Sequence, residues 1–92
     1  MSSVKISIDS ELRKKVREWK SGKRYYSDLE NWVNSAERLR KAKEIIAKYL
    51  KDEGRLDPYE SDYFVLKQRT NTTLYEIKLI IDLIVYENCF WD

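Results

Sequence analysis

Apolar residues recur at intervals of three and four along most of this 92-residue chain, and this period limits the possible folds more than any other feature. Side chains spaced in this way line one side of an α-helix, which a folded chain buries. The pattern predicts a mainly α-helical protein. The expected helices cover residues 11–20, 27–52, 58–68 and 72–86, with a break or bend in the second near Asn34 and Ser35.

The first residues follow a different period. Apolar and polar residues alternate from Val4 to Asp9, and the apolar members Val4, Ile6 and Ile8 are all β-branched. Alternation of this kind is typical of a strand with one buried face. The expected fold class is therefore mainly α with one short N-terminal β-strand.

The composition excludes several classes of chemistry. The chain has no histidine and one cysteine, Cys89, so a Ser-His-Asp arrangement and an intrachain disulfide are impossible and a zinc site is not expected. We therefore expect no catalytic residues, no metal, no cofactor and no enzymatic activity. The sequence has no apolar run of about 18 residues and no signal-peptide pattern. We expect a cytoplasmic protein without membrane contact.

Charge is distributed unevenly along the chain. Residues 1–54 contain 14 Lys and Arg against 9 Asp and Glu, whereas residues 55–92 contain 4 against 7. The basic excess is greatest between Ser10 and Arg24, where seven cationic side chains accompany two glutamates. Such a segment attracts phosphate backbones, although a solvated helix surface has the same composition.

Strand, helix, basic turn and helix follow one another over residues 4–39. The alternating Val-Lys-Ile-Ser-Ile segment, the Asp-Ser-Glu-Leu helix start, Gly22 and the Ser-Asp-Leu start of a second helix make this region resemble the ribbon-helix-helix DNA-binding family. The resemblance implies a homodimer whose paired strands enter the major groove of double-stranded DNA. It implies a module over residues 1–40 with a dimer core of Val4, Ile6, Ile8, Leu12, Val16, Leu29 and Val33.

The outward side of such a ribbon would carry Lys5 and Ser7, together with Ser3. Lysine and serine side chains bond base edges in the major groove, so these three are the predicted base contacts. The family also binds phosphate at the start of its second helix, where a helix N-terminus attracts anions. The predicted phosphate contacts of this chain are Arg13, Lys14, Lys23, Arg24 and Ser27.

Residues 41–91 resemble a helix-turn-helix of the winged type that ends before a full wing. The order is helix, short connector, helix, tight turn and helix, which implies a second, three-helix module over residues 41–92. In that family the last helix reads DNA, which by position implies a second DNA surface at Thr72, Thr73, Tyr75 and Lys78. The net negative charge of this half favours a different role, either a second dimerisation layer or a protein-binding surface within residues 55–92.

These observations predict a sequence-specific double-stranded DNA-binding protein, a transcriptional repressor that acts as a homodimer. One alternative is an antitoxin whose C-terminal half binds its toxin. Another is a non-enzymatic protein-interaction module.

Overall fold

Five helices make up the described part of the chain. The computed structural model describes the backbone of residues 8–88 and the side chains of residues 10–88. In chain order, the helices are α1 (Ile8–Ser21), α2 (Tyr25–Asn34), α3 (Glu37–Glu53), α4 (Glu60–Thr70) and α5 (Leu74–Asn88). The prediction of a mainly helical protein is confirmed.

The predicted β-strand is wrong. Ile8 and Asp9, its last two residues, lie in the first turn of α1, and residues 8–88 contain no strand. The ribbon-helix-helix fold, which requires this strand, is therefore corrected to an all-helical arrangement of the described residues. Alternation over six residues is a short signal, and helical hydrogen bonding extends N-terminally from the stronger period of Leu12 and Val16.

The remaining ribbon residues, Ser3, Val4, Lys5, Ile6 and Ser7, lie outside the described part of the chain, as does the side chain of Ile8.

Residues in the left-handed conformation end the third and fourth helices. Gly54 has a φ of 70° and donates its N–H to the carbonyl of Lys51, while Arg55 donates to Leu50. Asn71 has a φ of 54° and donates its N–H to the carbonyl of Lys67 at 2.9 Å. Glycine and asparagine adopt this conformation more readily than other residues. These two ends set the directions in which α4 and α5 leave.

The predicted break between α2 and α3 is confirmed. The last turn of α2 ends at Ser35, whose hydroxyl and N–H both donate to the carbonyl of Trp32, at 2.6 and 3.1 Å. Helix α3 starts two residues later, at Glu37.

The core is organised around α5, which packs against α2, α3 and α4. Its side chains at Ile77, Ile80 and Leu83 are at most 1% exposed. Helix α1 packs mainly against α2. Four of the predicted dimer-core residues lie in this core and are buried within a single chain: Leu12, Val16, Leu29 and Val33.

Two contacts join residues on either side of the predicted module boundary at residue 40, which falls inside α3. Arg38 binds Glu76, and the Tyr25 hydroxyl donates to Asp82. Over residues 8–88, no helix combines the length and the hydropathy needed to cross a membrane.

Candidate nucleic-acid interface

Helix α1 buries one side and exposes a row of cations on another. Leu12 and Val16 are buried against the core. Arg13, Arg17 and Lys20 are exposed and follow one another at spacings of four and three, which places them in one line along the helix. At a rise of about 1.5 Å per residue, this line is roughly 10 Å long.

The cations of α1 lie beside aromatic rings from other helices. The guanidinium carbon of Arg13 is 4.9 Å from the ring centre of Tyr75, in the first turn of α5. The ammonium of Lys20 is 5.4 Å from the ring centre of Tyr25, at the start of α2. Arg13, Arg17, Lys20 and Tyr75 line a shallow groove of about 340 Å³.

Lys78 extends this surface along α5. It is exposed, lies one turn after Tyr75 on the same side of the helix, and has its ammonium 5.9 Å from the ring centre of Tyr63 in α4. We name the resulting surface the basic–aromatic face. It is formed by Arg13, Arg17, Lys20, Tyr75 and Lys78. The fold thus places Arg13 next to Tyr75 and Lys78. The sequence predicted Arg13 as a phosphate contact and placed Tyr75 and Lys78 on a separate, second surface.

Within residues 10–88, no carboxylate lies within 4 Å of the side-chain nitrogens of Arg13, Arg17, Lys20 or Lys78. The ion pairs within residues 10–88 involve other cations. They join Arg38 to Glu76, Lys41 to Glu37, Lys43 to Glu87, and Arg55 to Glu53 and Asp62. The positive charge of the basic–aromatic face is therefore not neutralised by those carboxylates. An anionic ligand would supply the missing countercharge.

Asp82 adds a negative charge at the edge of the face. Its carboxylate accepts a hydrogen bond from the Tyr25 hydroxyl at 3.4 Å and is exposed to solvent. Burial of the Tyr25 hydroxyl, together with the charge of Asp82, raises the pKa of Tyr25 well above its ordinary value. Tyr25 is therefore a neutral donor at physiological pH.

Thr72 and Thr73 have structural roles at the start of α5. Thr72 is buried, and its hydroxyl lies 2.6 Å from that of Thr70. Thr73 caps the helix, because its hydroxyl accepts the N–H of Glu76 while its own N–H donates to the Glu76 carboxylate. Of the four residues of the predicted second surface, only Tyr75 and Lys78 belong to the basic–aromatic face.

The Glu76 carboxylate is also held by Arg38. The guanidinium donates two hydrogen bonds, at 3.0 and 3.3 Å, to a carboxylate that is 4% exposed. Burial alone would raise the pKa of Glu76, but the hydrogen bonds from Arg38 and Thr73 outweigh it and lower the pKa below the ordinary value. The charged form of Glu76 therefore fixes α3 to the first turn of α5.

The other predicted phosphate contacts lie close to Arg13, Arg17 and Lys20 in the sequence. Lys14 is exposed on α1, and Lys23 and Arg24 are exposed in the turn that follows Lys20. Ser27 is the third residue of α2, which begins at Tyr25, so it does not cap that helix. Arg17 and Lys20 belong to the face but were not among the predicted phosphate contacts, although their spacing from Arg13 is visible in the sequence.

Comparisons of the chain with protein-family models, with curated proteins and with solved structures find no match.

Proposed function

We propose that the protein binds double-stranded DNA through the basic–aromatic face, extended by Lys23 and Arg24 of the neighbouring turn. The observation that supports this most directly is the line of exposed cations on α1, which has no carboxylate of residues 10–88 within 4 Å. A regular array of phosphates is a ligand that an extended row of cations fits well.

The chemistry of the face favours phosphate contacts. Arginine donates two parallel hydrogen bonds to a phosphate, and lysine adds a point charge. Such contacts position a protein on the duplex and supply most of its salt-dependent affinity. We also propose the two properties predicted from the sequence, namely that the protein is a transcriptional repressor and that it is cytoplasmic. Occupancy of a promoter by the face would block transcription there.

The proposal is tested by the affinity of a fluorescently labelled duplex for a triple variant, Arg13→Gln, Arg17→Gln and Lys20→Gln. Loss of three phosphate contacts should weaken binding at least tenfold at low salt. It should also reduce the slope of log K against log salt by about 2 to 3, since each contact contributes roughly 0.9.

A matched variant removes the same charge from α3, outside the face. Lys41→Gln, Lys48→Gln and Lys51→Gln change three exposed lysines and should weaken binding much less. Equal losses in the two triple variants would show that net charge alone attracts the DNA, and they would contradict the proposed face.

A further inference from the structure

A second concave surface lies at the start of α5. It is a groove of about 920 Å³ between the C-terminal half of α4, the first turn of α5 and Arg38 of α3. Its lining combines an aromatic ring, an aliphatic side chain, two cations and two amides, from Phe64, Leu74, Arg38, Lys67, Gln68 and Asn71.

Phe64 is the most unusual member of this lining. Its side chain is 58% exposed, although phenylalanine is among the residues most often buried. Lys67, Gln68 and Asn71 follow at spacings of three, four and seven and lie on the same side of α4 and its C-cap. The groove therefore presents an open aromatic ring beside a cation and two amides.

Arg38 supplies a positioned cation at the rim. Its side chain is half exposed, and the hydrogen bonds to Glu76 use two of the five N–H groups of a guanidinium. The charges of Arg38 and Glu76 compensate each other, so the groove has no uncompensated carboxylate among its lining residues. The net positive charge of the lining therefore comes from the exposed Lys67.

Residues of the groove and of the basic–aromatic face share one side of α5. Leu74, in the groove, lies one turn before Lys78 on this helix, and Lys78 lies beside Tyr63, the residue that precedes Phe64. A polynucleotide strand that leaves the face along α5 would pass Lys78 and then Leu74 on its way to the groove.

We propose that the groove binds an unpaired strand that continues from the duplex, with one base stacked on Phe64 and the adjacent phosphates bound by Lys67 and Arg38. This rests on the proposed function, and it specifies the substrate class as duplex DNA with a single-stranded extension. Aromatic rings beside cations are the usual platform for unpaired bases. The amides of Gln68 and Asn71 supply both donors and acceptors for base edges.

The test compares two labelled DNAs, a blunt duplex and the same duplex with a single-stranded extension of about four nucleotides on either strand. The wild-type protein should bind one of the extended duplexes about tenfold more tightly than the blunt one, given the usual contribution of one stacked base. Phe64→Leu should abolish this preference and leave the affinity for the blunt duplex unchanged.

Tyr59→Leu is the matched control, since Tyr59 is an exposed aromatic residue of the same region that does not line the groove. It should retain the preference for the extended duplex. Thermal unfolding of both variants checks that the fold is intact.

The outcomes separate the two proposals. Equal affinity of the wild-type protein for blunt and extended duplexes would overturn the groove proposal and leave the proposed function standing. A preference that survives Phe64→Leu would also overturn it. Failure to bind any of the duplexes at low salt would overturn both.

Discussion

Helices α1 and α5 have nearly the same length, 14 and 15 residues, but opposite relations to solvent. Helix α1 lies at the periphery, buries a narrow apolar stripe and exposes its cations. Helix α5 is surrounded by three other helices and exposes charge mainly at Lys78 and Asp82. Helix α5 thus fixes the positions of the other helices, and α1 supplies most of the positive charge of the proposed interface.

The largest expected effect comes from removing core volume from each of the two helices. Ile80→Ala in α5 should lower the free energy of unfolding by about 3–4 kcal/mol, because Ile80 is fully buried among several helices. Val16→Ala in α1 removes two methylene equivalents at the edge of the core and should cost about 1–2 kcal/mol.

Urea denaturation of the two variants measures both values. Equal losses would mean that α1 is as central to the core as α5, which would contradict this difference between the two helices.

The second prediction concerns the ion pair that fixes the first turn of α5. Glu76→Gln keeps the shape of the side chain but removes the charge that binds Arg38. We expect a loss of about 1–2 kcal/mol, since the carboxylate is buried whereas Arg38 is half exposed and partly solvated. The control is Glu37→Gln, which removes the exposed pair with Lys41 and should cost no more than about 0.5 kcal/mol.

The same variant changes the response of the fold to acid. Because the pKa of Glu76 is lower in the folded chain than its ordinary value of 4.5, its contribution to stability is complete above that value and is lost as the pH falls through the folded pKa. Between pH 5 and pH 2, roughly, stability should therefore fall less steeply in Glu76→Gln than in the wild type.

Asp62 also loses its contribution to stability at low pH, both in the wild type and in Glu76→Gln. Hydrogen bonds from the Tyr49 hydroxyl, the Arg55 guanidinium and the Tyr59 N–H lower its pKa to about 2. Some acid sensitivity must therefore remain in the variant. Denaturation curves with identical pH slopes for the two proteins would contradict the assignment of a charged, clamped Glu76.

Local patterns predicted the helices because their period extends over several turns. The residues Asn34 and Ser35 correctly marked a helix break. At Ile8 and Asp9, the last residues of the alternation that starts at Val4, the helix that follows extends over the predicted strand. In such a short segment the strand and helix periods cannot be separated by pattern alone.

The candidate interface depends on contacts between distant parts of the chain. Arg13 and Tyr75 meet only after α1 and α5 have packed on α2, and no local pattern relates residues that far apart. The same holds for Arg38 and Glu76, whose pairing spans 38 residues. The sequence therefore indicated the basic helix, but assigned its cations and Tyr75 to separate surfaces.

The smallest predicted effect concerns the part of α5 that would lie next to the ligand. Asp82 is an exposed carboxylate of α5 beside the basic–aromatic face, and its charge opposes DNA phosphate. Asp82→Asn should tighten duplex binding by about twofold to fivefold, in line with the modest energies of exposed charges. The Tyr25 hydroxyl retains an acceptor in the asparagine oxygen, so the packing of α2 on α5 should not change.

Glu44→Gln provides the control, because it removes one exposed negative charge from α3 and leaves the face intact. Both variants change the net charge equally, so a gain confined to Asp82→Asn places the DNA next to α5. Equal gains would instead assign the attraction to the overall charge of the protein. In that case the DNA would not lie next to Asp82, and α5 would serve only as the scaffold.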